Sequence, residues 1–184
     1  MELNQVSITF SASARQDCIS SATISLLKQI GAESDNRLLI ITSTARTPYD
    51  QARIMFDNCI KLGIASQYKL YGQNGDKVIK VFEAGIKVKD FKRDDIIAKM
   101  ETKIREIGPG KVSKHCADPS TINVVDIPFS SISDKGKFRK AIEKHSPDPI
   151  ARFLEEGENK CFHLEILKRR SFVDPFFFPG TVVF

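Results

Sequence analysis

The chain has 184 residues, 41% of them hydrophobic and 28% charged, a balance that buries a sizeable core and excludes a disordered chain. Ten Gly and eight Pro exclude a collagen-like or linker-like polymer, and four dispersed cysteines (Cys18, Cys59, Cys116, Cys161) exclude a disulfide scaffold and, lacking a CxxC pair, argue against a zinc ribbon. The net charge of +5 favours anionic partners such as nucleic acid, acidic headgroups or cell-wall polymers, or else reflects a lysine-rich solvated surface. No apolar run is long enough to span a bilayer, and the N-terminus lacks the basic-then-apolar pattern of a Sec signal. The expectation is one domain over residues 1–184, made in the cytoplasm.

In chain order, Gln5–Phe10 alternates as a first strand, and residues 14–31 carry Ile19, Ala22, Leu26, Leu27 and Ile30 at helical spacings with Gly31 as the stop. Leu38–Ile41 reads as a buried strand. Thr47-Pro48 then opens a helix, Thr as N-cap and Pro at the first helical position, with Gly63 at its end. Helices follow over 76–87 and from Asp90 to Ile107, the latter stopped by Gly108-Pro109-Gly110. Ile122–Ile127 reads as a buried strand, Lys135–His145 as a basic amphipathic helix, and Lys160–Leu167 as an alternating strand. The aromatic run Phe176–Phe178 packs on the domain or docks a partner.

Chemistry concentrates in three residues. His115 follows a polar stretch, His163 sits in a strand, and Asp126 interrupts the apolar run Val124-Val125-Asp126-Ile127. A carboxylate inside an apolar strand is costly unless it is paired or bound to a cation. Two imidazoles and one carboxylate suit zinc and leave a fourth position for water. Hydrogen-bonded core histidines are the competing reading, and Cys116 and Cys161 leave open a His/Cys zinc site or a Cys–His hydrolase. His145, near the end of the basic helix, complements that helix's dipole. The run Lys135, Lys137, Arg139, Lys140 and Lys144 is interrupted only by Phe138, which gives little for base stacking and argues against nucleic acid.

Thr42-Ser43-Thr44-Ala45-Arg46 through Gln51 resembles the SGYRSxxxQ segment of the zinc D-Ala-D-Ala carboxypeptidases, which share a fold with L-alanyl-D-glutamate endolysin peptidases and the Hedgehog signalling domain. Ser113-Lys114-His115 resembles the family's SxH, Val124–Ile127 its AxDI, and Phe162-His163-Leu164-Glu165 its WHxE. The fragments fall in the family's order and cover roughly residues 37–167. The resemblance implies an α+β fold, a small mostly antiparallel sheet with helices packed on one side. It also implies zinc held by His115, Asp126 and His163, with Glu165 supporting His163. Arg46, with Gln51 and Ser113, would hold the substrate, a peptidoglycan stem or cross-link peptide. Planar guanidinium donors suit a carboxylate.

Two features depart from the family. His115 and Asp126 stand eleven positions apart where the family has seven, so residues near Asp118–Thr121 must form a loop, and Asp118 becomes a competing acid. The family's catalytic acid, three residues before the last His, is here Lys160, which leaves Glu158 as the candidate proton shuttle. The resulting expectation is a zinc peptidase acting on the cell wall, either as an endolysin or as an effector secreted by a non-Sec route. The alternative is a catalytically inactive zinc-fold module that binds a protein partner or cognate inhibitor.

Overall fold

A computed structural model describes residues 5–90, 92–157 and 159–168. Glu158 and the aromatic run Phe176–Phe178 lie outside the described residues. Strand β1 (Ser7–Phe10) leads through helix α1 (Ser21–Glu33) to β2 (Leu38–Ile41), which pairs with β1 in parallel. That β–α–β connection is the kind a parallel pair requires. Strands β3 (Ile122–Pro128), β4 (Ile150–Glu156) and β5 (Cys161–Leu167) form an antiparallel sheet in the order β3-β5-β4. The two sheets are stitched where the Thr42 amide donates to the Asp126 carbonyl (2.9 Å) and the Asp126 amide donates to the Ser43 carbonyl (3.0 Å). The expected α+β class with a mostly antiparallel sheet is therefore present.

Strand alternation sorts the side chains. From β3, Val125 and Ile127 enter one core; from β5, Phe162, Leu164 and Ile166 do the same. Helix α1 contributes Leu27 and Ile30, and helix α7 (Lys135–Glu143) contributes Phe138 and Ile142. Phe162 is central, with edge-on rings of Phe138 at 5.0 Å and Phe129 at 4.9 Å. Buried Asn123 ties α1 to the sheet, its Oδ1 accepting from the Ser20 amide and the Thr23 hydroxyl, both at 2.9 Å.

A second hydrophobic cluster is built from helices alone. It joins α2 (Pro48–Leu62), α4 (Gln73–Ile86), α5 (Arg93–Ile107) and α6 (Pro109–Val112) through Met55, Phe56, Val78, Phe82, Ile97, Met100 and Val112. The expectation of helices on one side of the sheet holds for α1 and α7 only. The helices from α2 to α6 pack chiefly on each other, and loops and ends of this group border the opposite sheet face.

One local reading changes and two elements are added. Gly31 does not stop α1, which runs on to Glu33; a Cβ there would lie 2.7 Å from Val6 Cγ1, so this glycine serves close packing. Gly63 ends α2 with φ +86°, a left-handed conformation that glycine favours, and a further helix α3 (Ile64–Leu70) starts directly after it. Strand β4 had no sequence expectation, and it supplies one wall of the cleft described next.

Candidate metal centre

Asp126 and His163 sit opposite each other in the β3–β5 register. Paired residues on antiparallel strands project to the same face, so both leave the core that Val125 and Phe162 enter. His115 comes from a 3-10 helix (Lys114–Cys116) held over that face by the Arg46 amide, which donates to the His115 carbonyl at 2.7 Å. The expected ligand set thus converges: His163 Nδ1 is 2.8 Å from Asp126 Oδ1, and His115 Nε2 is 3.1 Å from Asp126 Oδ2. All three are buried, and their candidate ligand atoms lie within 4.8 Å of one another. Among the described residues this is the one group of three or more His, Cys, Asp or Glu side chains placed to hold a metal ion.

The second nitrogen of each imidazole defines what the first can do. His115 Nδ1 lies 2.7 Å from the Thr44 carbonyl, which only accepts, so Nδ1 carries the hydrogen. Burial pushes His115 below the ordinary imidazole value, with Asp126 only partly offsetting it, so its neutral form leaves a lone pair on Nε2 facing the Asp126 carboxylate. Nε2 and Oδ2, 3.1 Å apart, repel in that form and attract when Nε2 carries a proton or a metal cation lies between them. For His163, burial also pushes the pKa down, but the hydrogen bond and charge of Asp126 outweigh it and the net shift is up. Its Nε2 lies 3.6 Å from Glu165 Oε1, a buried oxygen with no hydrogen-bond partner among the described residues. Burial pushes Asp126 upward, but the charges and hydrogen bonds of His115 and His163 hold it well below the usual carboxylate range. Two imidazole nitrogens and one ionised carboxylate, with the Thr44 carbonyl orienting His115 and the Glu165 carboxylate 3.6 Å from His163, make a donor set fit for a divalent cation.

These groups open on a cleft of about 380 Å³ lined also by Arg46, Tyr71, Ser113, Lys114, Leu154 and Glu156. The Arg46 side chain is held on three sides: Nε and one terminal nitrogen donate to Ser43 Oγ (3.1 and 2.5 Å), and the other donates to Gln51 Oε1 (3.1 Å). The first terminal nitrogen also stands 3.6 Å from Asp126 Oδ2. The Thr47 cap and Pro48 fix α2 directly behind it, with Thr47 Oγ1 accepting from the Asp50 amide at 3.1 Å.

Each expected site residue other than Glu158, which lies outside the described residues, has a place. Ser113 lines the cleft, in extended backbone just before the helix that carries His115. Gln51, expected at the substrate, is fully buried behind the cleft. It acts through its neighbours, accepting from Arg46 and donating to the Tyr71 hydroxyl at 2.9 Å. Asp118 is no ligand: it is exposed, and its Oδ1 accepts from the Ser120 amide at 2.8 Å in a turn that absorbs the long His115–Asp126 spacing. Cys116 and Cys161 do not join the group. Burial pushes the Cys116 thiol up to about 11 and raises that of Cys161 as well, which disfavours the thiolate that zinc binding or nucleophilic attack needs. His145 lies within 3.3 Å of Glu33 at the end of α7, a structural position. The basic residues of that helix pair with acids, Lys137 with Asp35 and Arg139 with Glu155.

Tyr71 and Glu156 are among the cleft residues that sequence reasoning missed. Tyr71 follows α3, and burial pushes its hydroxyl up to about 12, so it remains a neutral donor. Glu156 ends β4; the signal available was the acidic pair Glu155-Glu156 shortly before Cys161-Phe162-His163.

No protein-family model, curated protein or solved structure matches the chain. Among the described residues no helix is long and apolar enough to cross a membrane. The functional reading therefore rests on the site itself.

Proposed function

We propose that the chain is a zinc-dependent peptidase of the Hedgehog/D-Ala-D-Ala peptidase type, hydrolysing stem or cross-link peptides of peptidoglycan. The observation that carries this reading is the convergence of His115, Asp126 and His163 beside Arg46 in one cleft, with an oxygen acceptor beside the outer nitrogen of each imidazole. His115, Asp126 and His163 hold the metal, and Glu165 orients His163. Bound there, zinc supplies Lewis acidity toward a carbonyl and activation of water near neutral pH. Arg46 presents donors to a substrate carbonyl or carboxylate, and its contacts with Ser43 and Gln51 hold those donors in place before the substrate arrives. Ser113 borders the same space.

The chain acts in the periplasm or cell wall, as a phage endolysin or as an effector carried by a dedicated secretion machine, and the positive net charge suits an anionic wall. A second reading is an inactive zinc-fold module that binds a protein partner. Its support is Lys160, which stands where the resembled family has its acid, in a turn with φ +52°.

The test is digestion of muramidase-solubilised disaccharide peptides, followed by chromatography and counting of new amines. The peptidase reading expects cleavage that a chelator abolishes and added zinc restores. Zinc bound with no cleavage of any fragment contradicts it and favours the binding module.

A further inference from the structure

Strand β4 brings to the cleft a carboxylate that none of the recognised motifs contains. In the β4–β5 register Leu154 faces His163 and Glu156 faces Cys161, so Glu156 projects to the same face as His163, one pleat along. Its neighbour Glu155 points the other way and pairs with Arg139 of α7. Glu156 lines the cleft shared by His115, Asp126, His163 and Arg46. Asn159, in the turn to β5, donates to Glu156 Oε2 at 2.6 Å, and the Cys161 thiol reaches the same oxygen at 3.8 Å. Both bonds fall on Oε2; among the described residues Oε1 takes none.

Lys160 cannot fill this role. It is exposed and absent from the cleft lining, and its carbonyl is tied to the Phe129 amide at 2.8 Å. A peptide hydrolase needs one group to move a proton between water and the leaving amine, and geometry comes before acidity in choosing it.

We propose that Glu156 is the proton-transfer residue of this site. It takes a proton from the attacking water as the C–O bond forms, then gives that proton to the amine nitrogen as the C–N bond breaks. The carboxylate is regenerated, and no oxidant or further reactant is required. Asn159 is the positioning residue that holds Oε2. This inference rests on the peptidase reading above.

The experiment compares wild type, Glu156→Gln and Glu155→Gln as full-length protein, with muramidase-solubilised disaccharide peptides as the probe. It reads turnover, zinc per chain, and the Kd for the fragments by calorimetry. For Glu156→Gln the expected result is a kcat lowered about 100-fold or more, with zinc per chain unchanged and Kd within about twofold. Glu155→Gln should match wild type. Wild-type turnover in Glu156→Gln overturns the role of Glu156 and leaves the peptidase reading standing. Loss of zinc from Glu156→Gln also overturns it, since the residue would then be structural. A wild type that binds zinc but cuts no fragment overturns both.

Discussion

Asp126 and His163 face each other across β3 and β5, with Oδ1 of the acid 2.8 Å from Nδ1 of the imidazole. In the metal-free protein this is a pair whose partners move in opposite directions: Asp126 is held low, although burial opposes it, and His163 is raised, although burial opposes that too. A depressed carboxylate stabilises the fold above about pH 4 and loses that contribution as pH falls toward its folded value. A raised imidazole stabilises the fold below about pH 6.5 and loses that contribution as pH climbs through its folded value. Metal-free protein should therefore show its pair-dependent stability in the mildly acidic window, and Asp126→Asn should remove it. Zinc must displace the His163 proton, so the rise in Tm caused by zinc should grow from pH 5 to pH 8. Scanning calorimetry with and without zinc checks this; a zinc-induced rise that is the same at every pH contradicts it.

Arg46→Ala should leave zinc in place and lower turnover of peptidoglycan fragments by about 10- to 100-fold, the scale of a hydrogen bond to a charged group. Its side chain bonds Ser43 and Gln51 and stands 3.6 Å from Asp126. Metal analysis beside a kinetic assay separates the outcomes, because loss of zinc with this change would make Arg46 structural.

Tyr71→Phe removes the hydroxyl that accepts from Gln51 Nε2 at 2.9 Å. The buried Gln51 amide then loses a partner, at a cost of about 1–3 kcal/mol, while the ligand set is untouched. Denaturant unfolding should show that loss with zinc content unchanged. Unaltered stability would indicate that the Gln51 amide finds another partner.

Much of this was legible because the strongest signals are local. Thr47-Pro48 caps α2 as expected, and the apolar run Ile122–Ile127 and the alternating run Lys160–Leu167 mark the strands that carry Asp126 and His163. What was hidden depends on contacts distant in sequence. The register that sets Asp126 against His163 is fixed by pairing, and the eleven-residue spacing from His115 is reconciled only by the turn at Asp118. Strand β4 escaped notice because it is an edge strand with most residues only half-buried or exposed, which blurs its alternation. The sequence puts Gln51 and Arg46 together at the substrate, but only packing reveals that one supports the other.

Phe162 precedes His163 and fills the centre of the sheet core with no exposure. Phe162→Ala should cost about 3–5 kcal/mol and weaken zinc binding through the strand that carries His163. Urea unfolding measures the first effect and a competitive zinc chelator the second. A cost below about 1 kcal/mol would show that Phe162 is not central to the core.

A metal held by His115, Asp126 and His163 underlies every functional step proposed for this cleft. The direct measurement is metal content of the purified protein by plasma mass spectrometry, for wild type and His163→Ala side by side. About one zinc per chain in wild type, lost in the variant along with the zinc-dependent gain in Tm, is the predicted result. Wild type without metal after zinc is supplied, or equal zinc in both proteins, would contradict the assignment.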